Sequence, residues 1–133
     1  MKKYEIIGTL NKKKMKFISE KQPDFALELK NPNIVMWEDR IAHIKKHRMN
    51  FNNIYDFDKY VEMIPDIIEN PDYIGIREKE TNKSIQFIKK YNDNILIAVR
   101  LTAKGGLAFR TMYPITDSQL QDYIRKQTAW EYK

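Results

Sequence analysis

Between Asp72 and Ile115 the chain runs through four apolar segments, "DYIGIRE", "SIQFIKKY", "ILIAVRLT" and "LAFRTMYPI", separated by polar breaks at Thr81 to Lys83, Asn92 to Asn94 and Lys104 to Gly106. The segments have strand length and are rich in β-branched and aromatic residues. The breaks are too short for a crossover, so an antiparallel meander is the arrangement that pairs these backbones.

Upstream the period changes. In "WEDRIAHIKKHRMNF" the residues Trp37, Ile41, Ile44 and Arg48 recur at helical spacing and predict a first helix, entered from "NIVMW", with Met36, Arg40, His43 and His47 on an adjoining stripe. "YDFDKYVEMIPDIIENP" predicts a second helix: Phe57, Tyr60, Val61 and Ile64 share a face and Asp56 or Asp58 suits the N-terminal end. Pro65 kinks or splits that helix, and "ENPD" ends it. Residues 1–33 read as an N-terminal extension or hairpin. There "YEIIGTL" and "MKFIS" flank Asn11 to Lys14 as a hairpin or a strand entering a helix, and residues 20–33, with Pro23 and Pro32, read as a connection. After the sheet, Asp117 or Ser118 opens a C-terminal helix within 116–127, and "QTAWEYK" frays or docks by Trp130. The expectation is one α+β domain over 1–133, in which an N-terminal helical part (34–70) packs on a four-stranded antiparallel sheet (71–115), with a C-terminal helix.

With 42% apolar residues the chain can bury a core. It carries 24 basic against 18 acidic residues, and half of the basic ones fall in residues 1–50, where 12 stand against 6 acidic. The resulting field attracts polyanions, nucleic acid first. With no cysteine, thiolate metal sites and a cysteine nucleophile are excluded. The N-terminus lacks the pattern of a signal peptide and no run approaches a membrane span, so no membrane partner and a cytoplasmic location are expected.

The only histidines, His43 and His47, stand four residues apart, with Arg40 three before the first. Histidine gives and takes protons near neutrality, and positions i and i+4 of a helix point the same way. RNA brings its own nucleophile in the 2′-hydroxyl. A protein that cleaves it needs a base for that proton, an acid for the departing 5′ oxygen and cations for the phosphorane, without metal or other cofactor. Arg40 shares the histidine stripe, and Arg100, Lys104 and Arg110 are further candidates for the phosphate. Strict alternation along the last strand places Leu107, Phe109, Thr111 and Tyr113 on one side and Ala108, Arg110 and Met112 on the other. Thr111 can hydrogen-bond a phosphate oxygen and Tyr113 can stack a base, or both can be ordinary strand residues.

Two other readings of the pair remain. Asp39, His43 and His47 at i, i+4 and i+8 suit a zinc ion, although Ile44 stands where a zinc protease carries its glutamate. Alternatively, the pair simply caps and hydrogen-bonds beside a core. No nucleophile elbow or glycine-rich phosphate loop occurs.

From Ile7 to Ile115 the ordered segments "IIGTL", "WEDRIAHIKKH", "IPDIIENPDYIGI", "SIQFIKKY", "ILIAVRL" and "FRTMYPI" resemble the phage-associated nuclease-like domains of the barnase, EndoU, colicin and RelE fold group. The resemblance implies a four-stranded antiparallel sheet whose groove cleaves RNA and leaves a 2′,3′-cyclic phosphate. It carries the histidines of the "HIxxxH" pattern onto His43 and His47 and the last-strand hydroxyl onto Thr111. A phage-encoded or toxin-like endoribonuclease is the implied activity, with tRNA among the candidate substrates and a neutralising immunity or antitoxin protein as a candidate partner. The alternative is a non-catalytic basic RNA-binding or virion-associated module on the same fold.

Overall fold

A computed structural model describes residues 3–51, 53, 55–79 and 82–133, and of Lys79 the backbone alone. At its centre Asn94–Leu101 forms β5, with every residue but Arg100 buried. Tyr73–Lys79 (β3) and Asn82–Lys90 (β4) precede it and Leu107–Ile115 (β6) follows, each antiparallel to the next. This is the expected meander. The turn expected at Thr81 to Lys83 begins outside the described residues, and Asn82 and Lys83 already belong to β4.

The sheet is larger than the four strands expected. Tyr4–Thr9 (β1) pairs with Asn33–Trp37 (β2), β2 lies against β6, and Ala129–Glu131 (β7) pairs with β3. Among the described residues seven strands therefore stand in the order β1-β2-β6-β5-β4-β3-β7. The β2–β6 pairing is parallel and short, with Ile34 opposite Leu107 and Val35 opposite Ala108. "NIVMW" thus belongs to the sheet and does not lead the helix, and the chain end docks as an edge strand through Trp130, opposite Ile74. Such additions come from backbone donors and acceptors on distant segments, which local periodicity does not reveal.

β1 runs into Lys12–Lys21 (α1), whose N-terminal amide is capped by the side chain of Asn11. The expected connection over 20–33 holds a further helix, Pro23–Glu28 (α2), with Pro23 at its first position, where proline's missing N–H costs nothing. The histidine helix is shorter than its periodicity predicts: Arg40–Ile44 is α-helical (α3) and Lys45–Asn50 continues as a 3₁₀ helix. None of Lys45, Lys46, His47 and Arg48 has an acidic residue three or four positions away to support an α-helix through this run of charge. Pro65 splits the next helix into Asp56–Glu62 (α4) and Ile64–Glu69 (α5). Asp117–Arg125 forms α6, started by a capping box in which Thr116 and Gln119 satisfy each other's amides. No helix among the described residues is long and apolar enough to cross a membrane.

Period-two alternation gives the sheet two unlike faces. Ile85 and Phe87 of β4, Ile97 and Val99 of β5, and Phe109 and Met112 of β6 point into the main core, which also holds Ile18, Phe25, Phe57, Tyr60, Ile64 and Ile67 from the helices. On the other face Ile88, Leu96, Ala98 and Ile115 gather around Leu120 of α6. The nine residues of α6 cover only part of that face. What lies beyond, from Gln86 and Ser84 on β4 to Thr111 on β6, forms the floor of an open cleft.

Candidate functional site

The cleft, about 370 Å³, is bounded on one side by α3 and the 3₁₀ helix. These elements lie beside β6 because the β2 pairing stops at Ala108, leaving the rest of that strand edge for another partner. The Arg40 guanidinium supplies one link: its Nη2 donates to the carbonyl of Arg110 at 2.7 Å. Arg40, His43, Lys46 and His47 thereby face Arg110, Thr111 and Tyr113 across the cleft.

The last strand reaches this arrangement through a β-bulge. Ala98 pairs with Thr111 but Val99 pairs with Phe109, so Arg110 is an extra residue without a partner on β5. The bulge reverses the phase of the strand. Thr111 and Tyr113 leave the side occupied by Leu107 and Phe109 and turn to the cleft face, while Met112 takes the core side. The alternation expected from the sequence holds only up to Arg110, because one inserted residue carries every later side chain to the opposite face.

The charges are distinctive. Arg40, Lys46, Arg77 and Arg110 line the cleft together with the two histidines, and none of its described lining residues is acidic. The exposed His43 is held below the ordinary histidine value of 6.5, first by the Arg40 charge, then by Lys46 and a smaller loss of hydration, with Asp39 opposing. His47 is half-buried and also lowered, by burial first and then by Lys46 and His43. Its ring lies 5.7 Å from that of Tyr113, centroid to centroid. Burial raises the Tyr113 hydroxyl above its ordinary value, against the charge of Arg77. Arg77 itself stacks over the Tyr123 ring, 4.9 Å from its centroid, which fixes the guanidinium at the cleft wall.

Two polar atoms in the cleft are buried and have no hydrogen-bond partner among the described residues: Arg40 Nε and Thr111 Oγ1. The first is a donor and the second both donor and acceptor, so the pair suits a ligand carrying several oxygen atoms. On the floor Gln86 Nε2 donates to Ser84 Oγ at 2.7 Å, both residues being buried.

Of the residues singled out in the sequence, His43, His47, Arg40, Arg110, Thr111 and Tyr113 meet here. Arg100 lines an adjoining cavity with Trp37, Arg40 and Arg110. Lys104 does not line the cleft; it sits in a third depression beside Lys30 and Lys83. Sequence reasoning missed Lys46, Arg77, Asn82, Ser84 and Gln86. Arg77 carried a signal, being a charge in phase with Gly75 and out of phase with Ile74 and Ile76. No described group of three or more His, Cys, Asp or Glu residues is arranged to hold a metal, the Asp39, His43 and His47 set included.

Together these features define a class: a small α+β domain whose sheet carries, on its uncovered face, a cationic cleft edged by two histidines. Residues 12–122 match the family model described as phage-Barnase-EndoU-ColicinE5/D-RelE like nuclease3, and the chain belongs to that nuclease family. The match begins at α1 and ends within α6, so it covers most of the chain but not β1 or β7. No curated protein and no solved structure matches the chain.

Proposed function

We propose that the protein is an endoribonuclease that cleaves RNA by attack of the 2′-hydroxyl on the adjacent phosphorus, without a metal. One observation carries this reading: two histidines and the Thr111 hydroxyl converge on one cleft with four cationic side chains, Arg40 among them, and with no carboxylate among the described lining residues. One histidine takes the 2′-hydroxyl proton as the new P–O bond forms. Arg40 and Arg110 balance the charge on the phosphorane, and Thr111 hydrogen-bonds a non-bridging oxygen. The other histidine then protonates the 5′ oxygen as the P–O5′ bond breaks, leaving a 2′,3′-cyclic phosphate and a 5′-hydroxyl. Both histidines are pushed below 6.5 by their surroundings, so a neutral base is available at neutral pH, and a bound phosphate supplies the negative charge that restores a proton to the acid.

Family membership and the basic surplus support a phage-encoded or toxin-like role, with tRNA as a candidate substrate and a neutralising immunity protein as a candidate partner. The test is incubation with total tRNA and a labelled single-stranded RNA in chelating buffer, beside His43→Ala. Cleavage that leaves cyclic phosphate and disappears in the variant is expected.

A second reading, a basic RNA-binding or virion-associated module without chemistry, is supported by the cationic lining of the cleft, which attracts RNA whether or not the histidines act on it. It predicts RNA that stays intact and shifts on a gel with strong dependence on salt.

A further inference from the structure

The cavity that adjoins the histidine cleft lies at the corner where β2 leaves β6. It measures about 440 Å³, and Arg40, Asn82 and Arg110 border both spaces, so the two form one continuous trough. Its remaining lining comes from Trp37, Arg100, Thr102, Ala108 and the buried Phe109. We propose that this cavity is a subsite for the nucleotide next to the reacting phosphate, with Trp37 as the platform for its base and Arg100 as the contact for its phosphate. The proposal rests on the reading of the cleft as an RNA site and extends it along the strand.

Three observations carry it. The first is charge: Arg40, Arg100 and Arg110 border a space whose described lining includes no acidic residue. Such a gathering of like charge is unfavourable until an anion enters. The Arg110 side chain is tied to Asn82 and that of Arg40 to the Arg110 carbonyl, whereas the Arg100 side chain is exposed and makes no hydrogen bond or ion pair among the described residues. Its guanidinium is therefore available to a ligand.

The second is the indole. Trp37 is the last residue of β2 and is 37% exposed, an unusual setting for the largest apolar side chain. It is held in place by its cross-strand partner Tyr4, whose ring meets it edge to face at a centroid distance of 5.0 Å. A fixed aromatic beside a cationic trough is the arrangement that takes successive bases of a single strand without reading their identity.

The third is spacing. Ala98, the partner of Thr111, and Arg100 lie two residues apart on the same face of β5, about 7 Å along the strand. Arg100 thus stands one short step along β5 from the floor position opposite Thr111, in the cavity that Trp37 also lines.

Oligonucleotides of two and four residues with 2′-O-methyl groups, which lack the attacking hydroxyl, separate binding from cleavage. Their affinities are measured by fluorescence anisotropy for the wild-type protein, Trp37→Ala and Arg100→Ala, at one salt concentration. The four-residue oligomer is expected to bind the wild type about tenfold or more tightly than the two-residue one, and each substitution is expected to remove most of that gain. Arg100 is exposed, so its variant reports on the subsite even if Trp37→Ala fails to fold. A length gain that persists in Arg100→Ala, or in a folded Trp37→Ala, overturns the subsite and leaves the cleft reading standing. Absence of binding at either length overturns the RNA reading and the subsite together.

Discussion

Arg40 on the histidine helix donates a hydrogen bond to the carbonyl of Arg110, the extra residue of the β6 bulge. This links the element that carries His43 and His47 to the residue that turns Thr111 toward them, so one contact helps set the spacing of the proposed catalytic groups. Arg40→Ala is expected to lower the cleavage rate about a hundredfold through loss of positioning and of phosphorane charge. Arg40→Lys is expected to restore only part of it, because an ammonium lacks the guanidinium fork that serves the carbonyl and a phosphate together. Single-turnover cleavage by both variants checks this, and equal rates for Arg40→Lys and wild type would count against the double role.

His43→Ala and His47→Ala should each reduce cleavage by about two orders of magnitude or more, the usual worth of a general acid or base. The double variant should be little worse than the slower single one, since the two act as a unit. A purified single variant that cleaves at the wild-type rate removes that histidine from the mechanism.

Thr111→Val tests function against stability in one residue. Its hydroxyl is buried without a partner among the described residues, so an apolar isostere leaves no polar atom behind and the melting temperature should stay level or rise slightly. Cleavage should nonetheless fall about tenfold or more, through loss of the hydrogen bond to the phosphate. A marked drop in melting temperature would instead assign the hydroxyl to the fold.

The pH dependence follows from the lowered histidines. In the unfolded chain both take up a proton near 6.5, while in the native state they do so at lower pH. Their contribution to stability is therefore complete above about 6.5 and is lost as the pH falls toward the native values. Urea midpoints should decline over that window, and less steeply in His47→Gln. Because kcat/KM reports groups of the free protein, its optimum should lie on the acid side of 6.5. An optimum well above neutrality would remove one of the two from its acid or base role.

Gly75→Ala addresses the cleft floor. A Cβ at this position would stand 2.8 Å from the Thr128 carbonyl oxygen and 2.9 Å from Gln86 Oε1, closer than real contacts allow. A loss of about 1–3 kcal/mol in urea denaturation is expected, with displacement of Gln86 and weakening of the β3–β7 pairing.

Parts of this molecule follow from local order alone. The β3–β6 meander is written in period-two segments and short polar breaks, and Pro65 divides its helix where the missing N–H requires. The proximity of His43 and His47 was also legible, since a helical turn brings i and i+4 together and the change to 3₁₀ geometry does not carry either residue out of the cleft. Arg77, Ser84 and Gln86 were not, because polar residues on a sheet face look alike until it is known which part of that face α6 leaves uncovered.

The sequence by itself determined the central strands and the histidine pair, which depend on neighbours within a few positions, and the α+β class and basic surplus, which follow from the order of segments and a count of charges. Tertiary structure alone decided that β1, β2 and β7 enlarge the sheet, that the bulge at Arg110 turns Thr111 and Tyr113 to the cleft, and that Trp37 and Arg100 border its extension. These depend on backbone pairing between segments distant in the chain. A single unpaired residue there exchanges the two faces of a strand, and no local pattern records it.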